Sequence, residues 1–155
     1  MGGMIVLPET QRDRIEAWVR AGYPLETCGL LVGRLEPCAP QARETIGLDG
    51  ADTPVAIVER VVQARNVNEE RAQDRYELDP ADFVAADHAA RDDRLEIVGI
   101  WHSHPDSPAR PSETDLRAAW PGWSYVIASV HAGGVRELRS WRLEEGAFRE
   151  EKVRS

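Results

Sequence analysis

Two histidines separated by one residue, His102 and His104, are the clearest candidates for chemistry in this sequence. They end the stretch LEIVGIWHSH, residues 95–104, whose apolar character predicts a buried β-strand. Side chains alternate between the two faces of a strand, so both imidazoles leave one face while Ser103 points to the other. Two imidazoles held at this spacing can bind one metal ion. The pattern therefore indicates a candidate metal site at the end of the strand.

A serine and an aspartate follow a proline-rich loop, at the point where a short helix is predicted to begin. Ser112 and Asp115 are three residues apart, which places them on one face of the first helical turn. The Asp115 carboxylate could complete a His-His-Asp set, and three protein ligands with one open position are typical of catalytic zinc sites. The same Ser-x-x-Asp spacing is also that of a helix capping box, a purely structural motif. At this point both interpretations stay open.

The elements expected to position these residues mix helices with strands. Apolar spacing bounded by Pro and Gly predicts helices, and apolar runs between turn residues predict strands. Asp79-Pro80 marks one helix start, because Asp is a favoured N-cap and Pro is favoured at the first helical position. The predicted helices are residues 8–22, 79–94 and 112–120, and the predicted strands are residues 28–35, 55–67, 95–104, 125–131, 135–143 and 147–153. This order predicts a mixed α/β fold around one sheet.

Length, charge and cysteine content limit the class of protein. The chain has 155 residues, so residues 1–155 are expected to form a single domain. Its 27 acidic residues outnumber its 19 basic residues, and the net charge of −8 argues against a nucleic-acid partner. No apolar run approaches the roughly 20 residues that span a bilayer, and the first residues do not resemble a secretory signal. Two cysteines, Cys28 and Cys38, without a C-x-x-C pair favour packed thiols in the cytoplasm.

The pattern of site residues resembles the JAMM (MPN-type) metallopeptidase family. The signature of that family is an upstream glutamate followed by His-x-His-x7-Ser-x2-Asp. His102, His104, Ser112 and Asp115 match it at every position, and Glu26, in the stretch LETCGLLVGR, matches the upstream glutamate. The likeness extends from the first predicted helix to the closing hairpin. It implies an α-β-α arrangement of the cytidine-deaminase-like kind, with helices packed on a central, mostly antiparallel curved sheet.

The resemblance also implies a role for each of these five residues. His102, His104 and Asp115 would hold one zinc ion per chain. Glu26 would act as the general base and then protonate the leaving amine, and Ser112 would hydrogen-bond the oxyanion. A positioned carboxylate contributes about 10²–10⁴ in rate as an acid–base catalyst, and one oxyanion donor contributes roughly 10²–10³.

Three further residues near these positions are weighed from the sequence alone. Asn66, near the end of a predicted strand, and Ser103, between the two histidines, are candidates for substrate contact. An Asn at a strand end is also common turn chemistry. Cys28 could be the nucleophile of a Cys–His hydrolase. That alternative leaves the spacing of Ser112 and Asp115 unexplained, and a small packed residue at a strand start is favoured.

The family chemistry implied by the resemblance is hydrolysis of an amide or isopeptide bond after the C-terminal Gly-Gly of a ubiquitin-like protein. The short chain favours a small partner, such as a sulfur-carrier protein from which cysteine or a conjugated protein is released. An extended tail fits a cleft beside a free strand edge, and the loop at residues 36–54 is the one candidate for gripping the partner. A monomer or homodimer is expected. A non-catalytic MPN-type interaction module and a zinc amidohydrolase acting on a small molecule are the alternatives.

Overall fold

Seven strands and three helices make up the part of the chain that the computed structural model describes, residues 3–37 and 54–155. The strands are β1 (Met4–Val6), β2 (Cys28–Pro37), β3 (Pro54–Ala64), β4 (Glu96–Pro105), β5 (Ser124–His131), β6 (Gly134–Glu144) and β7 (Ala147–Arg154). The helices are α1 (Glu9–Gly22), α2 (Pro80–Asp92) and α3 (Glu113–Ala118). The predicted mixed α/β fold is confirmed. Cys38 and most of the loop predicted at residues 36–54 lie outside the described residues.

The sheet closes into a barrel, so the expectation of a curved sheet with a free strand edge is wrong. Its strand order is β1-β3-β2-β4-β5-β6-β7, and β1 pairs in parallel with both β3 and β7. Met4 lies opposite Val55 on one side and Lys152 on the other. A strand of three residues is too short to show an alternating pattern, which is why the sequence does not predict the closure. Within the described ranges, four of the seven strand pairings are antiparallel.

Apolar side chains pack on both faces of the barrel wall. Leu31 belongs to the cluster that α1 covers through Ile15 and Val19. Its neighbours along β2, Leu30 and Val32, belong to a second cluster, covered by α2. Alternation along the strand therefore places one helix on each face of β2, which is the helix–sheet–helix layering implied by the family resemblance.

The segment between β3 and α2 forms one wall of the site. Strand β3 ends at Ala64, earlier than predicted, and Asn66 then forms an isolated bridge with Leu78. Helix α2 begins as predicted, with the Asp79 side chain accepting a hydrogen bond from the Ala81 backbone N–H at 2.9 Å. In the described ranges, the helices lack the combined length and apolar character needed to cross a membrane.

Candidate active site

The register between β2 and β4 places Glu26 beside the two histidines. These antiparallel strands pair Cys28 with His102. Continuing the register by two residues sets Glu26 opposite His104, although the two are 78 positions apart in the sequence. A hydrogen bond from the Ser103 backbone N–H to the Thr27 carbonyl, at 3.0 Å, extends the pairing past the start of β2. The backbone therefore brings the upstream glutamate to the end of the histidine strand.

The side chains of His102, His104 and Asp115 converge on one point. The two Nε2 atoms lie 3.1 Å apart, and Asp115 places Oδ2 3.2 Å from His104 Nε2 and Oδ1 3.4 Å from His102 Nε2. A tetrahedral metal ion with bonds of about 2.0–2.1 Å holds its ligand atoms roughly 3.3–3.4 Å apart. All three side chains are buried, and His102 has no exposed surface. These distances are close to ligand spacing, with Asp115 presenting a different carboxylate oxygen to each histidine, so the residues fit a metal site.

The hydrogen bonds of His104 show why the cluster fits a cation. His104 Nδ1 lies 2.9 Å from the Pro108 carbonyl oxygen, which can only accept, so Nδ1 carries the proton. Nε2 of the neutral ring is then an acceptor, and it faces the Asp115 carboxylate, which is also an acceptor. A cation, either a proton or a metal ion, must lie between them. Burial acts to lower the pKa of His104, but the hydrogen bonds with Asp115 and the Pro108 carbonyl, together with nearby carboxylate charge, raise that pKa overall.

Asp115 belongs both to the cluster and to a helix cap. Its backbone N–H donates to Ser112 Oγ at 3.0 Å, and the Ser112 backbone N–H donates to Asp115 Oδ2 at 2.8 Å. The predicted capping box is therefore present at the start of α3. Burial acts to raise the pKa of Asp115, but the contacts with His102 and His104 hold that pKa well below its usual range. The capping interpretation is therefore confirmed, and the same cap holds the carboxylate against the two histidines.

Glu26 faces the same point from the other side. One of its carboxylate oxygens and the two histidine nitrogens all lie within 4.8 Å of one another. Glu26 is only 6% exposed. Burial raises the pKa of its carboxyl to about 8, against an opposing contribution from His104. A carboxyl with that pKa exchanges protons near neutral pH, as general acid–base chemistry requires.

Ser112 lies in the cleft beside Glu26 and His104. The cleft has a volume of about 220 Å³, and its other wall includes Gln73 and Asp74. Ser112 is exposed, and its Oγ accepts the capping hydrogen bond while its own O–H remains available to donate. The structure therefore brings Glu26, His102, His104, Ser112 and Asp115 to one place.

Asn66 lines a second depression that also includes Glu26, but its side chain is fully engaged within the protein. Its Nδ2 donates to the carbonyl oxygens of Glu26 at 3.1 Å and Arg75 at 3.0 Å. Its Oδ1 accepts from the backbone N–H groups of Asn68 and Glu77, both at 3.0 Å. Two donors and two acceptors complete the hydrogen-bonding capacity of an amide. Asn66 therefore supports the segment that carries Glu26.

Ser103 is not brought to the cleft, contrary to the expectation of substrate contact. It is completely buried, because it points away from the two histidines. Its Oγ accepts a hydrogen bond from the Thr27 backbone N–H at 2.9 Å and lies 3.2 Å from Thr27 Oγ1. The hydroxyl thus holds β4 against the residue that follows Glu26.

The structure adds two residues that the sequence does not predict. The ring of Tyr76 stacks on the imidazole of His102, with centroids 4.5 Å apart and planes inclined by 25°. Arg75 donates from its guanidinium to Thr114 Oγ1 at 2.8 Å, which ties the Asn66–Leu78 segment to helix α3. Both residues lie in a segment without apolar periodicity. Only their position in the fold shows that they contact the site.

Cys28 packs in the core, as expected from its position at a strand start. It has no exposed surface, and burial raises the pKa of its thiol to about 12. A thiol that stays protonated at neutral pH is a poor nucleophile. The geometry therefore gives no support to a Cys–His hydrolase.

Comparison with known proteins finds relatives that match most of this chain. A family model described as prokaryotic homologs of the JAB domain matches residues 8–144. A Desampylase from Haloferax volcanii is 33% identical over 147 residues, covering 92% of this chain and 89% of that protein. A CysO-cysteine peptidase from Mycobacterium tuberculosis is 32% identical over 156 residues, covering 97% and 92%. The solution structure of a protein from Desulfitobacterium hafniense superposes with a TM-score of 0.75 and 30% identity, covering 97% and 91%.

The range matched by the family model, residues 8–144, spans the positions of all five residues of the signature, from Glu26 to Asp115. The predicted family is confirmed by this match, and the predicted peptidase activity is confirmed by relatives that align over nearly the whole chain. This chain therefore belongs to the JAMM metallopeptidases, among the prokaryotic homologs of the JAB domain.

Proposed function

We propose that this protein is a zinc-dependent enzyme that hydrolyses the amide bond after the C-terminal Gly-Gly of a ubiquitin-like or sulfur-carrier protein. The observation that supports it most directly is the convergence of His102, His104 and Asp115 at ligand spacing, with Glu26 facing the same point. The relatives named Desampylase and CysO-cysteine peptidase support the choice of substrate. We place the reaction in the cytoplasm.

In this proposal His102, His104 and Asp115 hold one zinc ion per chain. When bound, zinc supplies a Lewis acid that polarises a carbonyl group and acidifies water. Imidazole nitrogens and a carboxylate oxygen are ligands that zinc prefers. His104 is further oriented by its Nδ1–H bond to the Pro108 carbonyl, and this kind of contact fixes the tautomer of a metal-binding histidine.

The protein's own groups carry the proton and position the substrate. Glu26 accepts a proton from the attacking water and delivers it to the leaving amine, so that one water and one amide give a carboxylate and an amine. Ser112 lines the cleft, and its O–H donates to the carbonyl oxygen as that oxygen gains negative charge. Asn66 and Ser103 keep the Glu26 segment in place through their contacts with the Glu26 carbonyl and with Thr27.

The shape of the surface suits an extended substrate. Glu26 lines both the cleft that contains Ser112 and a second depression of about 440 Å³ beside the end of β3. A chain that crosses Glu26 therefore has room on both sides of the bond to be cut. This arrangement fits a protein tail joined to a leaving group better than a small molecule, which would occupy one side only.

The test uses a ubiquitin-like carrier that ends in Gly-Gly and is joined to cysteine, with the protein loaded with one equivalent of zinc. Intact-mass measurement should show release of cysteine at the bond after Gly-Gly. Glu26→Gln should lose most turnover while keeping zinc, and the matched control Glu69→Gln changes an exposed glutamate outside the site. Undiminished cleavage by the Glu26→Gln variant would contradict the assignment of the base. A zinc-loaded protein that cleaves no Gly-Gly adduct would contradict the proposed function.

A further inference from the structure

Arg110 stands in the wall of the catalytic cleft, two residues before Ser112. A short turn holds its backbone: the Arg110 N–H donates to the Pro108 carbonyl at 2.8 Å, and the same carbonyl binds His104 Nδ1. The intervening carbonyl of Ala109 accepts from Trp141 Nε1 at 3.0 Å. The backbone of Arg110 is therefore fixed relative to the histidine cluster, while its side chain is exposed.

The charge of Arg110 is not matched by a partner in the cleft. Within residues 3–37 and 54–155, its guanidinium forms no hydrogen bond and no ion pair. Asp74, which also lines the cleft, is already bound to Arg71, with Arg71 Nε at 3.1 Å from its Oδ1. Glu137, which feels the charge of Arg110, is likewise bound by Arg139 at 2.6 Å. Arg110 therefore contributes to the lining of the cleft a positive charge that these carboxylates do not bind.

The two classes of leaving group differ in where they carry negative charge. If the leaving group is a single amino acid joined through its α-amine, one carbon separates the scissile nitrogen from a free carboxylate. If the leaving group is a lysine side chain, four methylene groups follow the nitrogen, and no carboxylate lies near it. An arginine in this position binds a carboxylate through two parallel N–H···O bonds and has nothing comparable to bind in the second case.

We propose that Arg110 is a specificity-determining residue that binds the α-carboxylate of a single amino acid released from the carrier. This inference rests on the proposed hydrolysis after Gly-Gly and narrows its substrate to adducts with a free α-carboxylate. A charge-assisted contact of this kind gives a preference of about 10- to 100-fold over an adduct that lacks the charge.

The experiment compares three adducts of the same Gly-Gly carrier, so that only the leaving group changes. The carrier is joined to the α-amine of cysteine, to the α-amine of cysteinamide, and to the ε-amine of an acetylated lysine amide. The wild-type enzyme should cleave the cysteine adduct at least tenfold faster in kcat/KM than the cysteinamide adduct. Arg110→Gln should reduce that ratio to about one by slowing only the cysteine adduct, and Arg110→Lys should restore part of it.

The control variant and a binding measurement separate this role from a general effect of charge. Arg117→Gln removes a cation from the helix that carries Asp115, outside the cleft, and should keep the wild-type ratio. In a Glu26→Gln background, calorimetry should show the cysteine adduct binding more tightly than the cysteinamide adduct only while Arg110 is present. Equal rates on these two adducts, or an unchanged ratio in Arg110→Gln, would overturn the inference. Failure to cleave any of the three adducts would instead overturn the proposed function, and this inference with it.

Discussion

The side-chain amide of Asn66 donates a hydrogen bond to the main-chain carbonyl of Glu26 at 3.1 Å. The same NH₂ group donates to the Arg75 carbonyl at 3.0 Å, and the guanidinium of Arg75 binds Thr114 at the start of α3. The Asn66 amide therefore connects two segments of the site. One carries the proposed base, Glu26, and the other contacts helix α3, which carries the proposed metal ligand Asp115. The Glu26 backbone N–H is held as well, by the Ala72 carbonyl at 2.5 Å.

Removing the Asn66 amide is expected to lower kcat more than it raises KM. Asn66→Ala leaves the Glu26 and Arg75 carbonyls without their shared donor, so Glu26 loses its fixed position. A misplaced catalytic group costs roughly 10- to 100-fold in rate. Steady-state kinetics on a Gly-Gly adduct measures the change, and zinc content should stay at one per chain. Asn68→Ala is the matched control, because Asn68 lies in the same segment without a hydrogen bond to Glu26. Equal losses in both variants would contradict a specific role for Asn66.

The metal prediction depends on Asp115. Asp115→Ala removes the carboxylate that lies between the two histidines, and zinc content should fall from one per chain to near zero at micromolar zinc. Glu113→Ala changes an exposed acidic residue in the same helical turn and should keep the metal. Metal analysis after dialysis makes the comparison. Treatment of the wild-type protein with a chelator should abolish turnover but leave it folded, because its apolar clusters do not depend on these side chains. A fully zinc-loaded Asp115→Ala variant would contradict the ligand assignment.

Four of the five candidate site residues could be predicted from the sequence because their spacing is local. His102 and His104 share a face by strand alternation, and Ser112 and Asp115 share a face by helical spacing, so each pair follows from a short segment. Composition gives no reason to select Glu26, which was found only through the family signature. Its position beside His104 depends on a strand register between distant segments.

Other features depend on contacts that no local pattern contains. The closure of the barrel depends on β1, whose three residues pair with strands at both ends of the chain. Asn66 was expected to contact substrate, yet its four hydrogen bonds reach atoms from 2 to 40 positions away. Ser103 was correctly predicted to point away from the histidines, and that direction is what removes it from the cleft. The stacking of Tyr76 on His102 has no sequence signal at all.

The pKa of Glu26 predicts a pH dependence of stability in the metal-free protein. Burial raises that pKa to about 8, above its ordinary value of 4.5, so the folded state retains a proton that the unfolded chain releases. The stabilisation from this proton is complete below the unfolded pKa and is lost as the pH rises through the folded pKa. The Glu26→Gln variant has no carboxyl to titrate at this position. Its unfolding free energy relative to that of the wild type should therefore be higher at pH 8.5 than at pH 5, by on the order of 3 kcal/mol.

Urea unfolding in the presence of a chelator, at both pH values, measures this difference. Most other titrating groups behave alike in both proteins, so the comparison measures the titration of Glu26 together with its coupling to His104. A stability difference that does not change between the two pH values would show that Glu26 titrates normally in the folded state.

Cys28 is expected to be dispensable for activity. Its thiol is buried, and its pKa is raised to about 12, so almost no thiolate forms at pH 7. Cys28→Ser should keep kcat/KM within about twofold, because the hydroxyl replaces a sulfur that lies 3.8 Å from the Arg65 carbonyl and takes no part in the proposed chemistry. Iodoacetamide should leave Cys28 unmodified in the native protein and label it after unfolding, with peptide mapping to count Cys38 separately. Complete inactivation of Cys28→Ser with its fold intact would revive the Cys–His alternative.

Ser112 is predicted to have two separable roles, as helix cap and as oxyanion donor. Ser112→Ala removes the acceptor for the Asp115 N–H, which should cost about 1 kcal/mol of stability. It also removes the hydroxyl from the cleft, which should lower kcat by about 10²–10³. Ser112→Thr keeps both the cap and a hydroxyl, so it should retain stability and a larger share of the turnover.

Thermal unfolding, zinc content and steady-state kinetics on the same variants separate the two roles. Zinc content near one in Ser112→Ala would show that the loss of turnover does not come from a displaced Asp115. If Ser112→Ala instead loses stability but keeps its turnover, the Ser-x-x-Asp motif is only the capping box that the sequence also allowed. In that case the donor to the oxyanion must come from elsewhere in the cleft, where Gln73 supplies a side-chain N–H on the opposite wall.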